Sequence, residues 1–319
     1  MSAVVNPDLA RFSKDIAALG LKPLWERVMR LKAGTAAQAA IWRWKDTRPL
    51  LVRACELITA KQAERRVLML ENPALPGTTF ATPTLFAGLQ AILPGEIAAT
   101  HRHTPNALRF IVEGEGAYTA VDGERIAMRP GDFIVTPGWS WHDHGNAGSA
   151  PVVWLDALDT AFANLFGAHF REDYPEERQG AARARIDSVL SYPFEQTRAA
   201  LERLSKSGDP HPSHGWKLRY TNPDTGRDPF PTMAAFIQRL PRGFAGRDYR
   251  STDSAVYCVV EGRGSVVIGA AQYELAPHDV FVVPSWETHR FSAASECVIF
   301  SYSDRAAQEA LGFWREAEA

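Results

Sequence analysis

The sequence predicts an all-β core of two tandem antiparallel β modules, with a helical segment ahead of them and a helical connector between them. Three observations predict this. Short β-rich runs, namely Val67-Leu68-Met69-Leu70, Leu108 to Val112, Phe133 to Val135 and Val152 to Leu155, are separated by Gly, Pro and Asn clusters. The pattern of this stretch returns in the second half of the chain at a nearly constant displacement. The flanking stretches change to apolar spacings of three and four, the period of a helix.

From Pro7 to about Ala63 the helical spacing is carried by Leu24, Val28 and Leu31, then by Leu50, Ala54, Leu57 and Ile58, so residues 1–64 read as a helical N-terminal segment. Residues 65–158 read as the first β module. Residues 159–215 read as the connector, with helical spacing from Thr160 to Ser207 at Leu190, Phe194, Leu201 and Leu204. Residues 216–319 read as the second β module with a C-terminal tail. The repeat is specific: Pro83-Thr84, Gln90, Gly95 and Val112-Glu113-Gly114 recur at Pro231-Thr232, Gln238, Gly243 and Val260-Glu261-Gly262, displaced by 148 residues. Pro130, Asp132, Pro137, Trp139 and His142 recur at Pro277, Asp279, Pro284, Trp286 and His289, displaced by 147. A constant offset broken by one deletion is the signature of internal duplication.

At 319 residues the chain has room for two domains and a sizeable core. Its net charge of -2 gives no electrostatic case for nucleic acid or an anionic membrane, which points to a small-molecule partner. Met1 to Asp8 has no basic region leading into an apolar run, and no apolar stretch reaches the length of a membrane span. Cys55, Cys258 and Cys297 form no CxxC pair, so neither a disulfide framework nor a thiolate metal site is expected, as befits a reducing cytoplasm. Four of the nine histidines fall between His101 and His144, which is where chemistry is expected.

Gly95 is followed by His101, Arg102 and His103, and residues two apart on a strand point to the same face. Gly131 is followed by Pro137, His142 and Asn146 on a second strand, which can bring a third imidazole to the same interior point. An HxH pair alone means little. Together with Gly95, Gly114, Gly131, Pro137 and Asn146 at these intervals, it predicts a metal held by His101, His103 and His142. Three neutral histidines leave an octahedral iron(II) with three open positions, although imidazole serves zinc equally well.

These spacings resemble the two motifs of the cupin family, and the resemblance covers both β modules. It implies two cupin (double-stranded β-helix, jelly-roll) domains. The glutamate ligand of the usual cupin pattern is missing where Ala107 and Leu108 stand, and Trp139 replaces the glycine expected two residues after Pro137. A three-histidine cupin with a helical lead-in and a degenerate second cupin resembles the gentisate 1,2-dioxygenase family, whose relatives cleave salicylate and 1-hydroxy-2-naphthoate. Arg65-Arg66-Val67-Leu68-Met69-Leu70, Leu93-Pro94-Gly95-Glu96, Leu108 to Gly114 and Lys217 to Pro223 are the segments most like that family. The resemblance implies an Fe(II) cofactor, an ortho-hydroxybenzoate bound through its carboxylate and hydroxyl, dioxygen as co-substrate, cleavage between the carbons bearing those groups, and a homotetramer.

Supporting residues follow from chemistry and resemblance together. Arg109 lies between Leu108 and Phe110, where a guanidinium needs an anion: a structural ion pair or, as the resemblance implies, the substrate carboxylate. His144 shares the face of His142 and is placed to hydrogen-bond an oxygen or move a proton, the alternative being a core histidine. The resemblance implies that Arg65 and Gln90 hold substrate and that Asp156 supports them, the alternative for Gln90 and Asp156 being satisfied polar residues of the sheet, while Gly88 and Phe86 share the Gln90 face and are expected to shape the pocket wall. Phe86 stands where relatives often carry tryptophan. By alternation Arg66 reads as a surface charge. In the second module Tyr249, Ser251 and His289 stand for His101, His103 and His142, so no second iron is expected and His289 reads as a core histidine. His169, His211, His214 and His278 lack ligand spacing and read as surface or hydrogen-bonding residues. The competing functions are a non-catalytic metal-binding cupin and another cupin enzyme, an isomerase or a thiol dioxygenase; the open coordination of three histidines argues against the first.

Overall fold

The computed structural model describes residues 7–27, 31–180 and 188–318; Val28 lies outside them, as do residues 181–187 of the connector. Residues 1–33 form one compact unit and 34–319 another. In the first, helix Pro7–Ala18 ends before Gly20, whose φ is +72°, and Pro23 leads into a single 3-10 turn at Leu24–Glu26. The helix expected through Leu24 is therefore absent, because a positive-φ glycine and an extended proline interrupt it. Helix Trp44–Leu57 does form, but the residue it buries is Leu51, with Trp44 and Cys55 packed beside it, while Leu50 is 63% exposed. The apolar spacing at Leu50, Ala54 and Leu57 marked the wrong face of this helix.

Each β module consists of two antiparallel sheets. In the first, one sheet runs Ser191–Tyr192, Phe133–Thr136, Ala107–Glu113, Val152–Leu158, Phe86–Ile92, Val67–Met69, and its partner runs Arg171–Asp173, Ile97–His103, His142–Asn146, Ala117–Val121, Glu124–Ala127. Ile111, Ile134, Val152 and Trp154 from one sheet meet Ala117, Val121 and Ile126 from the other in a closed apolar layer. The second module repeats this with Val259, Phe281 and Ile299 against Val266, Ile268 and Phe291.

The two large sheets also pack on one another. Leu108, Phe110 and Leu155 of the first share a core with Ile237, Val282 and Phe300 of the second, and Phe110 stacks on Phe300 with centroids 4.1 Å apart and planes 10° apart. Fully burying a side chain of this size contributes about 1.5–3 kcal/mol. This explains why Ala107–Glu113 reads as a near-continuous apolar run: Leu108, Phe110 and Val112 face the other module, while Arg109 and Ile111 face their own barrel.

Three segments depart from a purely helical reading. Ala40–Trp42 pairs with Val280–Val283 and covers the edge of the second module's large sheet, and within the connector Arg171–Asp173 and Ser191–Tyr192 extend the first module's two sheets. All are short edge strands that protect exposed ladder groups, and two or three residues carry no readable period. Arg66 is a second correction. It is 5% exposed, paired with Glu96 and turned to the Cys55 and Ile58 carbonyls at 3.5 and 3.3 Å, because the helical segment covers the face that alternation assigned to solvent.

The duplication extends to backbone conformation. Trp139 and its repeat Trp286 both adopt positive φ, +65° and +63°, and Gly131 at +86° matches His278 at +69°. The turn that usually takes glycine keeps its left-handed form under a tryptophan, at a cost of roughly 1–2 kcal/mol for a residue with a Cβ. Trp139 offsets it by stacking against the Arg102 guanidinium, 4.4 Å from the ring.

Candidate metal centre

Strand Ile97–His103 pairs with His142–Asn146 so that His101 lies opposite His142 and Ala98 opposite His144, with a bulge between. Alternation sends His101 and His103 into the barrel, and one ring nitrogen of each of His101, His103 and His142 lies within 4.8 Å of the other two. The ring centroids are 5.3, 4.4 and 4.8 Å apart.

The backbone selects the tautomer. His103 Nδ1–H donates to the Pro105 carbonyl at 2.8 Å and His142 Nδ1–H to the Ser140 carbonyl at 3.0 Å, since a carbonyl only accepts. Their Nε2 lone pairs are thereby left for a metal, the usual orientation of a ligating histidine. His101 differs: its Nδ1 lies 2.7 Å from Arg65 Nη2 and 3.4 Å from the Ala99 carbonyl. Burial, then Arg65, brings His101 down to about 2, and burial brings His103 to about 4. Burial and then Arg109 hold His142 and His144 well below the usual imidazole range. All four rings are neutral at physiological pH, the form that binds a cation. The donor set fits a divalent transition metal with open positions.

Arg109 enters the barrel from the large sheet, 2% exposed, with Asp156 opposite it in the ladder. Its Nη1 donates to the Thr136 hydroxyl, and its Nε lies 3.8 Å from Asp156 Oδ1. Burial lowers the Arg109 pKa and raises that of Asp156, each opposed by the other's charge. His144 is 1% exposed, its Nδ1 has no hydrogen-bond partner, and its ring lies 5.3 Å from Trp154. Gln90 pairs with Trp154 and Val67 across the same interior face, and Gly88 pairs with Asp156 and Met69.

Gly88 and Phe86 meet as alternation predicts. A Cβ on Gly88 would stand 2.4 Å from Val67 Cγ1 and 3.1 Å from the Phe86 ring. Arg65 precedes strand Val67–Met69, donates to the Ala99 carbonyl at 2.8 Å and also lines a cleft of about 350 Å³ with Lys61, Glu64, Thr100, Arg171 and Asp173. Burial first, then Arg109, brings Arg65 down to about 10, so it stays charged. The structure thus gathers His101, His103, His142, His144, Arg109 and Asp156 on the inner faces of one barrel, with Arg65 touching His101 from the side. Sequence reasoning missed Thr136, which holds Arg109; its signal was a lone hydroxyl closing the run Phe133-Ile134-Val135 ahead of Pro137.

Comparison with known proteins agrees with this architecture. The cupin domain family matches residues 88–158 and 236–302. The chain is 43% identical over 337 residues to gentisate 1,2-dioxygenase 1 of Aquipseudomonas alcaligenes, covering 98% of this chain and 97% of that one. The chain belongs to the gentisate 1,2-dioxygenase family. Other relatives of this dioxygenase include the 1-hydroxy-2-naphthoate 1,2-dioxygenase of a Nocardioides strain, 34% identical over 98% of this chain and 88% of that one. A solved structure of salicylate 1,2-dioxygenase from Pseudoaminobacter salicylatoxidans with gentisate superposes with a TM-score of 0.90 at 31% identity, covering 100% of this chain and 96% of that one. The protein is thus a two-cupin dioxygenase, and where the usual cupin glutamate is missing, Leu108 faces the core shared by the modules. No helix among the described residues is long and apolar enough to cross a membrane.

Proposed function

We propose that the first cupin holds one iron(II) on His101, His103 and His142 and opens the ring of gentisate or a related ortho-hydroxybenzoate such as salicylate, a 5-substituted salicylate or 1-hydroxy-2-naphthoate. The observation that carries this reading is a neutral histidine triad facing the same interior as a buried guanidinium whose Nε makes no hydrogen bond. Iron(II) held by these three histidines would supply the redox chemistry for the reaction with dioxygen.

The remaining work belongs to the chain. Arg109 takes the substrate carboxylate in a planar charge-assisted fork, with Thr136 and Asp156 fixing its plane. Arg65 stands between the cleft and His101, and its charge draws the anion inward. Gln90 orients the ring substituents, and Phe86 with Gly88 sets the width of the wall. His144, neutral and unpaired at Nδ1, receives or returns a proton at the substrate hydroxyl. The apolar layer that includes Trp154, whose ring lies 5.3 Å from that of His144, keeps water out.

The assembly we propose is a cytoplasmic homotetramer, a reading supported by family resemblance, by three free cysteines and by apolar side chains left exposed at Leu57, Leu165 and Phe166. The functional reading is tested by incubating iron-reconstituted protein with a panel of ortho-hydroxybenzoates under an oxygen electrode. Dioxygen uptake with gentisate or another member is expected; silence across the panel would return the chain to a binding role.

A further inference from the structure

The second cupin keeps the geometry of the first site but reverses its chemistry. Tyr249 pairs with His289 as His101 pairs with His142, Tyr257 pairs with Ser301 as Arg109 pairs with Asp156, and Lys217 pairs with Gln238 as Val67 pairs with Gln90. At the place of Gly88, two residues before that glutamine, stands Phe236. The remaining cavity measures about 10 Å³, room for roughly one water-sized sphere. Lys217, Arg305, Asp253, Tyr257, His289 and Ser301 line it.

Among the lining residues two cations, Lys217 and Arg305, face one carboxylate, Asp253. Arg305 faces Asp253 at 3.4 Å and donates to the Tyr249 hydroxyl at 3.1 Å, and Asp253 also accepts from the Trp314 indole at 3.0 Å. Tyr249 in turn donates to Glu316 at 2.7 Å. The Lys217 ammonium lies 4.5 Å from the centroid of the Phe236 ring and has no ion-pair partner among the described residues. His289 is 4% exposed and neither of its ring nitrogens has a hydrogen-bond partner, in contrast to His142, whose Nδ1–H is held by the Ser140 carbonyl. With no hydrogen bond completed at either nitrogen, His289 can carry its proton on Nε2 or Nδ1, whereas the Ser140 carbonyl fixes the proton of His142 on Nδ1.

We propose that the second cupin binds one small monovalent anion of halide size between Lys217, His289 and the hydroxyls of Tyr257 and Ser301. Asp253 and Glu316 act on the Lys217 ammonium only at longer range, without an ion pair, and an anion in contact with it lowers the cost of its partial burial further. Burial first, then Arg305, brings Lys217 down to about 7, the condition that a neighbouring anion reverses. The cavity is too small for an aromatic acid, so the site is not a second substrate site.

Crystals of the iron-loaded enzyme grown in sodium bromide and measured at the bromine absorption edge should show an anomalous peak in contact with Lys217 Nζ. In solution, replacing gluconate with bromide at constant ionic strength should raise the melting temperature of wild type relative to Lys217→Met, and the difference should grow with bromide concentration. If Lys217→Met fails to fold, Lys217→Gln takes its place and the wild-type crystal still decides. A cavity holding only water, without anomalous signal, overturns the proposal, as does an equal bromide response in wild type and variant.

Discussion

Arg109 Nε lies 3.8 Å from Asp156 Oδ1, and neither atom completes a hydrogen bond, although both are buried. Buried polar atoms are nearly always satisfied, so a facing pair left open beside the histidine triad supports the proposed contact of Arg109 with the substrate carboxylate. Because lysine lacks the planar fork, Arg109→Lys should keep the fold and the iron yet lose at least tenfold in kcat/KM, about 1.4 kcal/mol or more. Arg109→Ala should lose more. If Arg109 were only half of a structural ion pair, the damage would fall on melting temperature and iron retention, with kcat/KM per bound iron unchanged.

Iron should bind at about one equivalent per chain, in the first cupin alone, because only His101, His103 and His142 converge among the described residues. Metal analysis of His101→Ala should find nearly all iron gone, and of His289→Ala should find it retained. Iron halved in each variant would mean two sites.

His144 shares the ligand face but stands outside the triad, with its ring 6.1 Å from that of His142. His144→Gln should hold iron near the wild-type level while kcat falls about a hundredfold, the usual scale for a positioned acid or base. Parallel loss of iron and rate would make it a ligand or a prop.

Gly88 has no room for a methyl group, since its Cβ would stand 2.4 Å from Val67 Cγ1. Gly88→Ala should cost about 1–3 kcal/mol in stability and raise KM for bulky hydroxybenzoates. Trimming the neighbour should relieve it, so the double variant Gly88→Ala with Val67→Ala should recover most of the lost stability. A melting temperature that falls further in the double variant would show that the contact is not what limits this wall.

The centre of the site was legible because strand alternation is strict: His101 and His103 two apart, His142 and His144 two apart, and Arg109 alone among apolar neighbours each fix a face without knowledge of the fold. What alternation cannot say is what covers that face. Arg66 was assigned to solvent for this reason, whereas helix Trp44–Leu57 and its continuation bring the Cys55 and Ile58 carbonyls over it and Glu96 completes the pair. The same gap hid Thr136, whose contact with Arg109 joins residues 27 apart in sequence. The edge strand Ala40–Trp42 pairs with Val280–Val283, a partner so distant that no local period announces it. In the second cupin, Lys217 and His289 belong to separate strands, and only their shared cavity shows that the degenerate module retains a polar centre.

The most direct measurement of the central claim is the fate of labelled dioxygen. Iron-reconstituted protein given gentisate under doubly labelled dioxygen, quenched within a few turnovers and read by mass spectrometry, should yield a ring-opened acid carrying both oxygen atoms of one dioxygen molecule. His142→Ala should yield none. Product with a single labelled atom, or an intact ring, would contradict a ring-cleaving dioxygenase built on His101, His103 and His142.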